Sequence, residues 1–334
     1  MTTPTLEDVA ARAGVSRATV SRVVNGSPRV SDAARRAVEA AVAEMGYAPN
    51  RAARSLAGSR SESVALVVSE PSVRLFADPF FAGTTLGVTG ELAETRYQLV
   101  LLMLASDADH ARIEHHLLRG GTDGALVVSA RAGDPLVPRL AAAGLPCVVA
   151  GRPPAGAAVG FVDADNEGGA HAAVAHLLAR GRTVVGTVAG PADMAPGADR
   201  RSGWARALVE AGRAAPAMLV AEADFTREGG AAATRGLLTR RPDLDGLFVA
   251  SDLMALGALD TLRLAGRRVP DDVALVGFDD TELARSADPP LTTVRQPIER
   301  LGREMTRLLL AQIEAGAPPT GLVLQTELVV RDSA

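Results

Sequence analysis

The side chains with the plainest chemistry sit near the start of the chain. Arg17, Ala18, Ser21 and Arg22 fall on one face of a helical run whose other face carries Val20, Val23 and Val24. Guanidinium and hydroxyl groups arrayed in this way donate hydrogen bonds to base edges in a DNA major groove, and an arginine at position 17 or 22 suits guanine. The remainder of the chain offers little for covalent chemistry. All 35 of its Lys-plus-Arg residues are arginine, which excludes Walker A and Schiff-base lysines. Cys147 is the only cysteine and lies in the apolar run 146–150, so it reads as a small buried hydrophobe with no intrachain disulfide. His115 and His116 are adjacent and diverge on a helix, and His171 and His176 lack one-turn spacing, so no metal site is expected. No GxGxxG, GxSxG or paired-cysteine motif is present, and neither a cofactor nor a catalytic role is expected.

Those arginines need a scaffold, and caps and turns supply one. Thr5 with Asp8 makes a capping-box-like start for a helix from Leu6 to Ala13, and Gly14 ends it in a sharp turn that Val15 plugs. Ser16 caps the second helix. Ser31 caps a third that runs to Met45, with Ala34, Val38, Ala41 and Val42 toward a small three-helix core, and Gly46 stops it. Asn50, after Pro49, can cap a short helix through Leu56 that is marginal in isolation because nucleation is costly. Residues 58–61, Gly-Ser-Arg-Ser, read as a linker. Charge divides at the same place. Nine arginines against five acids give the first 60 residues +4, leaving −8 for the rest, as suits a DNA-binding head on a regulatory body.

Beyond residue 62 short β-rich runs alternate with longer amphipathic ones. Runs at 63–68, 98–104, 124–128, 146–149, 184–188, 218–221, 246–249 and 273–277 read as buried parallel strands, and 322–330 as a last strand run. This is doubly wound α/β patterning, which places a ligand at strand carboxyl ends. No secretory signal or membrane-length apolar segment is visible, so a cytoplasmic protein with no membrane partner is expected. No heptads follow the last strand run, so a coiled-coil tetramer is not expected.

The stretch from Leu6 to Asn25, continued without a gap through 47–57 (Tyr-Ala-Pro-Asn-Arg-Ala-Ala-Arg-Ser-Leu-Ala), resembles the headpiece and hinge helix of the lactose/galactose-repressor (LacI/GalR) family. The resemblance implies an α/β fold with a helix-turn-helix headpiece at 1–49, a hinge helix and linker at 50–61, and a two-lobed periplasmic-binding-protein-like (type I) effector domain at 62–334. Its amino-terminal subdomain is expected at about 62–162 and 293–321, its carboxyl-terminal subdomain at about 163–292 and 322–334. It implies a homodimer on a palindromic operator in double-stranded DNA. Arg17, Ala18, Ser21, Arg22 and Asn25 serve the heads, Asn50, Arg51 and Arg54 the hinge, and Leu56 wedges into the minor groove. Arg51 and Arg54 suit phosphate or sugar contacts.

By the same resemblance, a small sugar-like effector would meet Ser69, Phe80, Asn166, Arg200, Phe225, Ser251 and Asp279. Arginine and aspartate together suit vicinal hydroxyls, and Phe225 suits an apolar sugar face. Each contact has a plainer alternative: Arg200 as half of a structural ion pair, and Phe80 and Phe81 as packing residues. Asp252 reads as the N-cap of the following helix and Asp280 as a turn acid. The segment 70–77 is longer than the usual family connection. The expected function is a transcriptional repressor released by its effector. The same parts allow a corepressor-type regulator, and the body alone would suit a sugar-binding receptor without a regulatory role.

Overall fold

A computed structural model describes residues 4–24, 27, 29–47, 60–154 and 156–334. They divide into a head ending at Ser61 and a body beginning at Glu62. In the head, α1 (Leu6–Ala13), α2 (Arg17–Val24) and α3 (Asp32–Met45) pack Val9, Val20 and Val38, all fully buried, with Val23, Ala41 and Tyr47. Thr5 and Asp8 close a reciprocal capping box, the Thr5 amide donating to Asp8 Oδ2 at 2.8 Å. Gly14 takes φ 65°, a left-handed conformation that lets its amide return to the carbonyls of Ala10 and Ala11. Ser16 Oγ accepts from the Thr19 amide at 3.1 Å, fixing the start of α2. Asn25 and the hinge residues Asn50, Arg51, Arg54 and Leu56 lie outside the described residues.

The body contains twelve described strands. They are β1 (Ser63–Val68), β2 (Gln98–Met103), β3 (Ala125–Val128), β4 (Cys147–Ala150), β5 (Gly160–Ala164), β6 (Val185–Ala189), β7 (Val220–Glu222), β8 (Gly246–Val249), β9 (Ala274–Asp279), β10 (Thr292–Arg295), β11 (Gly321–Leu324) and β12 (Glu327–Val329). They form two six-stranded sheets, in the orders β11-β5-β4-β3-β1-β2 and β12-β10-β9-β8-β6-β7. The first is parallel throughout; in the second β12 runs antiparallel to β10. Each sheet with its helices encloses its own core, the second around Trp204, Phe248 and Phe278. Trp204 is 1% exposed and its indole N–H donates to the Val185 carbonyl at 3.1 Å, tying a helix to the sheet it covers.

The chain passes between the sheets three times: after β5, after β10 and after β11. Both ends of the return segment fall later than 293 and 321. β10 pairs with β9 in the second sheet, held by Thr293 Oγ1 donating to Asp252 Oδ1 at 2.6 Å, while β11 pairs with β5 in the first. The single run expected at 322–330 is therefore two strands in different sheets, divided at Gln325 and Thr326. The long connection after β1 folds into α4 (Ser72–Ala77), which meets α5 (Pro79–Leu92) at Asp78. Asp78 caps α5 by accepting from the Phe80 amide at 3.0 Å, and Pro79 follows at the first helical position, where no amide is missed.

Candidate functional site

On α2, Arg17, Ala18 and Arg22 are exposed and Ser21 is half-buried, opposite the buried Val20 and Val23. Arg17 Nε lies 3.0 Å from Glu7 Oε1, so it holds a carboxylate partner that a base edge would have to replace.

In the body, a cavity opens where the carboxyl ends of both sheets converge. Phe80, Asn166, Arg200, Phe225, Ser251 and Asp279 all line it. Ser69 does not. It sits at the end of β1, its amide donating to the Val128 carbonyl at 3.2 Å, and on that side Arg74 and Asp78 of the long connection form the wall. Of the two adjacent phenylalanines, Phe80 faces the cavity and Phe81 is buried in the core, with their rings edge-to-face at 5.5 Å. Arg74, Arg152, Asp163 and Gln296 also line the cavity and were not singled out from the sequence.

The polar residues form one network. Arg200 Nε donates to Asn166 Oδ1 at 2.8 Å, its Nη1 donates to the Ala250 carbonyl at 2.6 Å, and Nη1 lies 3.6 Å from Asp279 Oδ1. Its guanidinium also sits 3.7 Å from the centroid of the Phe278 ring, so Arg200 is part of a structural ion pair and, at the same time, faces the cavity. Asn166 Nδ2 donates to Asp163 Oδ1 at 2.9 Å, and Gln296, just after the crossover strand β10, donates through Nε2 to Asp279 Oδ1 at 2.6 Å. Arg152 Nε reaches Asp163 Oδ2 at 3.2 Å.

Burial governs the protonation of these groups. It pushes the Asp279 carboxyl well above the usual carboxylate range, with the nearby Arg200 opposing, and it lowers Arg200 from the ordinary guanidinium value. Burial likewise raises Asp78 and Asp163. Three arginines (Arg74, Arg152, Arg200) face three aspartates (Asp78, Asp163, Asp279) in the lining. Each of these arginines lies beside one of the aspartates, so an arriving phosphate or carboxylate meets carboxyl oxygens at every guanidinium, whereas a hydroxyl, both donor and acceptor, can use each pair whichever partner holds the proton. The lining therefore favours a neutral, hydroxyl-rich ligand.

Three lining residues adopt positive φ without being glycine: Ser129 at 62°, Phe225 at 63° and Asp279 at 121°. Such conformations cost on the order of 1–3 kcal/mol each and cluster where the chain must aim a side chain. Phe225 fits because Gly190 makes room: a Cβ at Gly190 would lie 2.2 Å from its ring. Two expectations beside the site change. Ser251, not Asp252, is the N-cap, its Oγ accepting from the Met254 amide at 3.2 Å. Asp252 is the first helical residue, fully buried, and accepts from the Thr281 amide at 2.8 Å and from Thr293. Asp280 is more than a turn acid, since it pairs with Arg295 at 2.7 Å and with Arg331.

A helix-turn-helix head followed by a two-lobed α/β body with a polar interlobe cavity defines a DNA-binding regulator of the kind that carries its own ligand-binding domain. Comparison with known proteins makes the assignment specific. Residues 5–50 match the family model of bacterial regulatory proteins of the lacI family, and residues 174–334 match that of the periplasmic binding protein-like domain. The chain is 50% identical to the HTH-type transcriptional regulator CelR of Thermobifida fusca, over 99% of this chain and 98% of that protein. It is 33% identical to the HTH-type transcriptional repressor CytR of Escherichia coli strain K12, over 99% and 96%. Among solved structures, it superposes on a CelR–cellobiose complex with TM-score 0.80 at 48% identity, covering 99% of this chain and 100% of that one. It also superposes on a lac repressor dimer bound to operator and the anti-inducer ONPF, with TM-score 0.85 at 29% identity, covering 99% of both. The chain belongs to the LacI family of transcriptional regulators, whose members are DNA-binding proteins and not enzymes.

Proposed function

We propose that the chain is a cytoplasmic, homodimeric repressor that binds a near-palindromic operator and is released from it by a neutral glucoside of the cellobiose class. The observation that carries the ligand class is the cavity lining, in which three arginines are matched by three aspartates around Asn166 and Gln296. The cellobiose complex of CelR supports the choice among neutral sugars. In this reading Arg200 and Asp279 take vicinal hydroxyls, Asn166 and Ser251 take further oxygens, Phe80 supplies apolar surface, and Phe225 acts from beneath the Arg74 guanidinium. Arg17, Ala18, Ser21, Arg22 and Asn25 face the major groove. Asn50, Arg51 and Arg54 meet the backbone, and Leu56 wedges between base pairs.

Linkage sets the requirement on the effector: it moves the operator equilibrium only by as much as it prefers one lobe arrangement over the other, typically about 1–3 kcal/mol. Contacts across the cleft mouth that close with one arrangement are present. Arg131, after β3, donates to both carboxylate oxygens of Asp193, after β6, at 2.9 Å, and the Ala132 amide donates to the Asp193 carbonyl at 2.7 Å.

Selection of bound duplexes from a random DNA pool by the full-length protein, with and without cellobiose, tests the proposal. A palindrome whose recovery falls with cellobiose is the expected result. A palindrome recovered better with cellobiose reverses the sign to corepression, and a pool without enrichment contradicts the operator-binding role of the head.

A further inference from the structure

The helix α4 places a charged side chain where a ring was expected to meet the ligand. Arg74, 8% exposed, lines the cavity from the first lobe, and its guanidinium lies 5.0 Å from the ring centroid of Phe225 in the second lobe and 5.5 Å from that of Phe81 in its own. The ring of Phe225 is thus engaged by Arg74, and Gly190 packs against it as well. Nη1 of Arg74 is ion-paired with Glu70, and Nη2 lies 3.8 Å from Asp78 Oδ2. Nε has no hydrogen-bond partner in the protein, although the atom is buried.

We infer that Arg74 is a cross-cleft effector contact: its Nε–H donates to an oxygen of the bound sugar while its guanidinium rests on Phe225, so that one side chain both recognises the ligand and joins the lobes. The inference rests on the reading that the cavity takes a neutral sugar. A purely structural arginine would have its donors spent within the protein, and a buried donor left unmade is costly, so a ligand oxygen at Nε recovers what the protein leaves unpaired. Glu70 and Asp78 flank the cation, which points to a neutral acceptor oxygen rather than an anion. The cation–π contact with Phe225 exists only in an arrangement that brings the lobes together, so a sugar that fixes Arg74 favours that arrangement.

The test is calorimetric titration of cellobiose, and separately of glucose 6-phosphate, into the full-length protein and its Arg74→Gln, Arg74→Lys and Asp279→Asn variants, with the ligand-free Tm of each. Arg74→Lys keeps the cation between Glu70 and Asp78 but removes the planar Nε–H donor. Both Arg74 variants are expected to lose about ten- to hundredfold in cellobiose affinity. Arg74→Gln also lowers the ligand-free Tm, because it leaves the buried Glu70 without its cation, whereas Arg74→Lys keeps that pair and changes the ligand-free Tm little. Wild-type cellobiose affinity retained in both Arg74 variants, while Asp279→Asn loses it, overturns the role of Arg74 and leaves the sugar reading intact. A lowered ligand-free Tm with unchanged affinity makes Arg74 a structural plug and also overturns it. Preference of the wild type for glucose 6-phosphate, or no binding of cellobiose, overturns both readings.

Discussion

Arg200 shows how this protein aims a flexible side chain. Its guanidinium is fixed by Asn166, the Ala250 carbonyl and the Phe278 ring, so little rotamer freedom remains to be lost on binding. The arginines of α2 are treated unequally: Arg17 has Glu7 as a partner whereas Arg22 is exposed on the outward face. Arg22→Ala should therefore relax discrimination at one operator position by about 1–3 kcal/mol, measured as relative affinities for single-base operator variants. A uniform loss across all variants would instead make Arg22 a phosphate contact. The outward face of α2 and six cavity-lining residues, Phe80, Asn166, Arg200, Phe225, Ser251 and Asp279, were legible from residue types and motif positions. Arg74 was not, although Glu70, Arg74 and Asp78 stand at helical i, i+4 spacing. What hid its role is that its partner Phe225 is remote in sequence, brought near by the fold of both sheets. The exchange of roles between Ser251 and Asp252 has a similar origin, since the groups that satisfy Asp252, Thr281 and Thr293, lie on other elements.

Among elements, the junction of β9, β10 and the helix Asp252–Leu264 is pinned by that buried carboxyl. Burial pushes Asp252 up to about 7, so folding takes up a proton there between the ordinary carboxylate range and neutrality. The sign follows: its contribution to stability is complete below about pH 4 and is lost as pH rises through about 7. Carboxyls that are lowered, such as Asp272 at about 2 beside Arg268, act only below the ordinary range, whereas Asp78, Asp163 and Asp279 are raised as well, and comparison with Asp252→Asn cancels what they contribute to both proteins. Between pH 5 and 7 the wild type should lose on the order of 2 kcal/mol relative to Asp252→Asn, read from urea midpoints across that range. Parallel curves would contradict the assignment. Fully buried strands such as Ser63–Val68 and Gly246–Val249 were legible, because burial on both faces leaves an unbroken apolar run. β5 and β10 were missed because they carry polar residues, Asp163 in one and Thr292 and Thr293 in the other, whose buried polar atoms are satisfied by partners outside the strand. The split of 322–330 was likewise invisible to periodicity. The break at Gln325 and Thr326 is set by which sheet each half pairs with, and Thr326 Oγ1 donates to the Asp165 carbonyl at 3.2 Å at the crossover.

At the scale of the molecule, a head bearing +4 precedes a body bearing −8, which concentrates attraction for DNA in the part that reads it. The body joins its lobes by three crossovers, and the residues that line the cavity come from both sides of the cleft. Gln296 lies just beyond one crossover strand and bonds Asp279, so occupancy of the site and geometry of the connection are in contact. Whether that contact is used is settled most directly by titrating cellobiose into full-length protein bound to its selected operator, following operator anisotropy for wild type and Asp279→Asn. The account predicts that the wild type releases operator as the sugar binds, and that Asp279→Asn needs far more cellobiose for the same release. Operator occupancy that stays constant while the wild type saturates with cellobiose would contradict it.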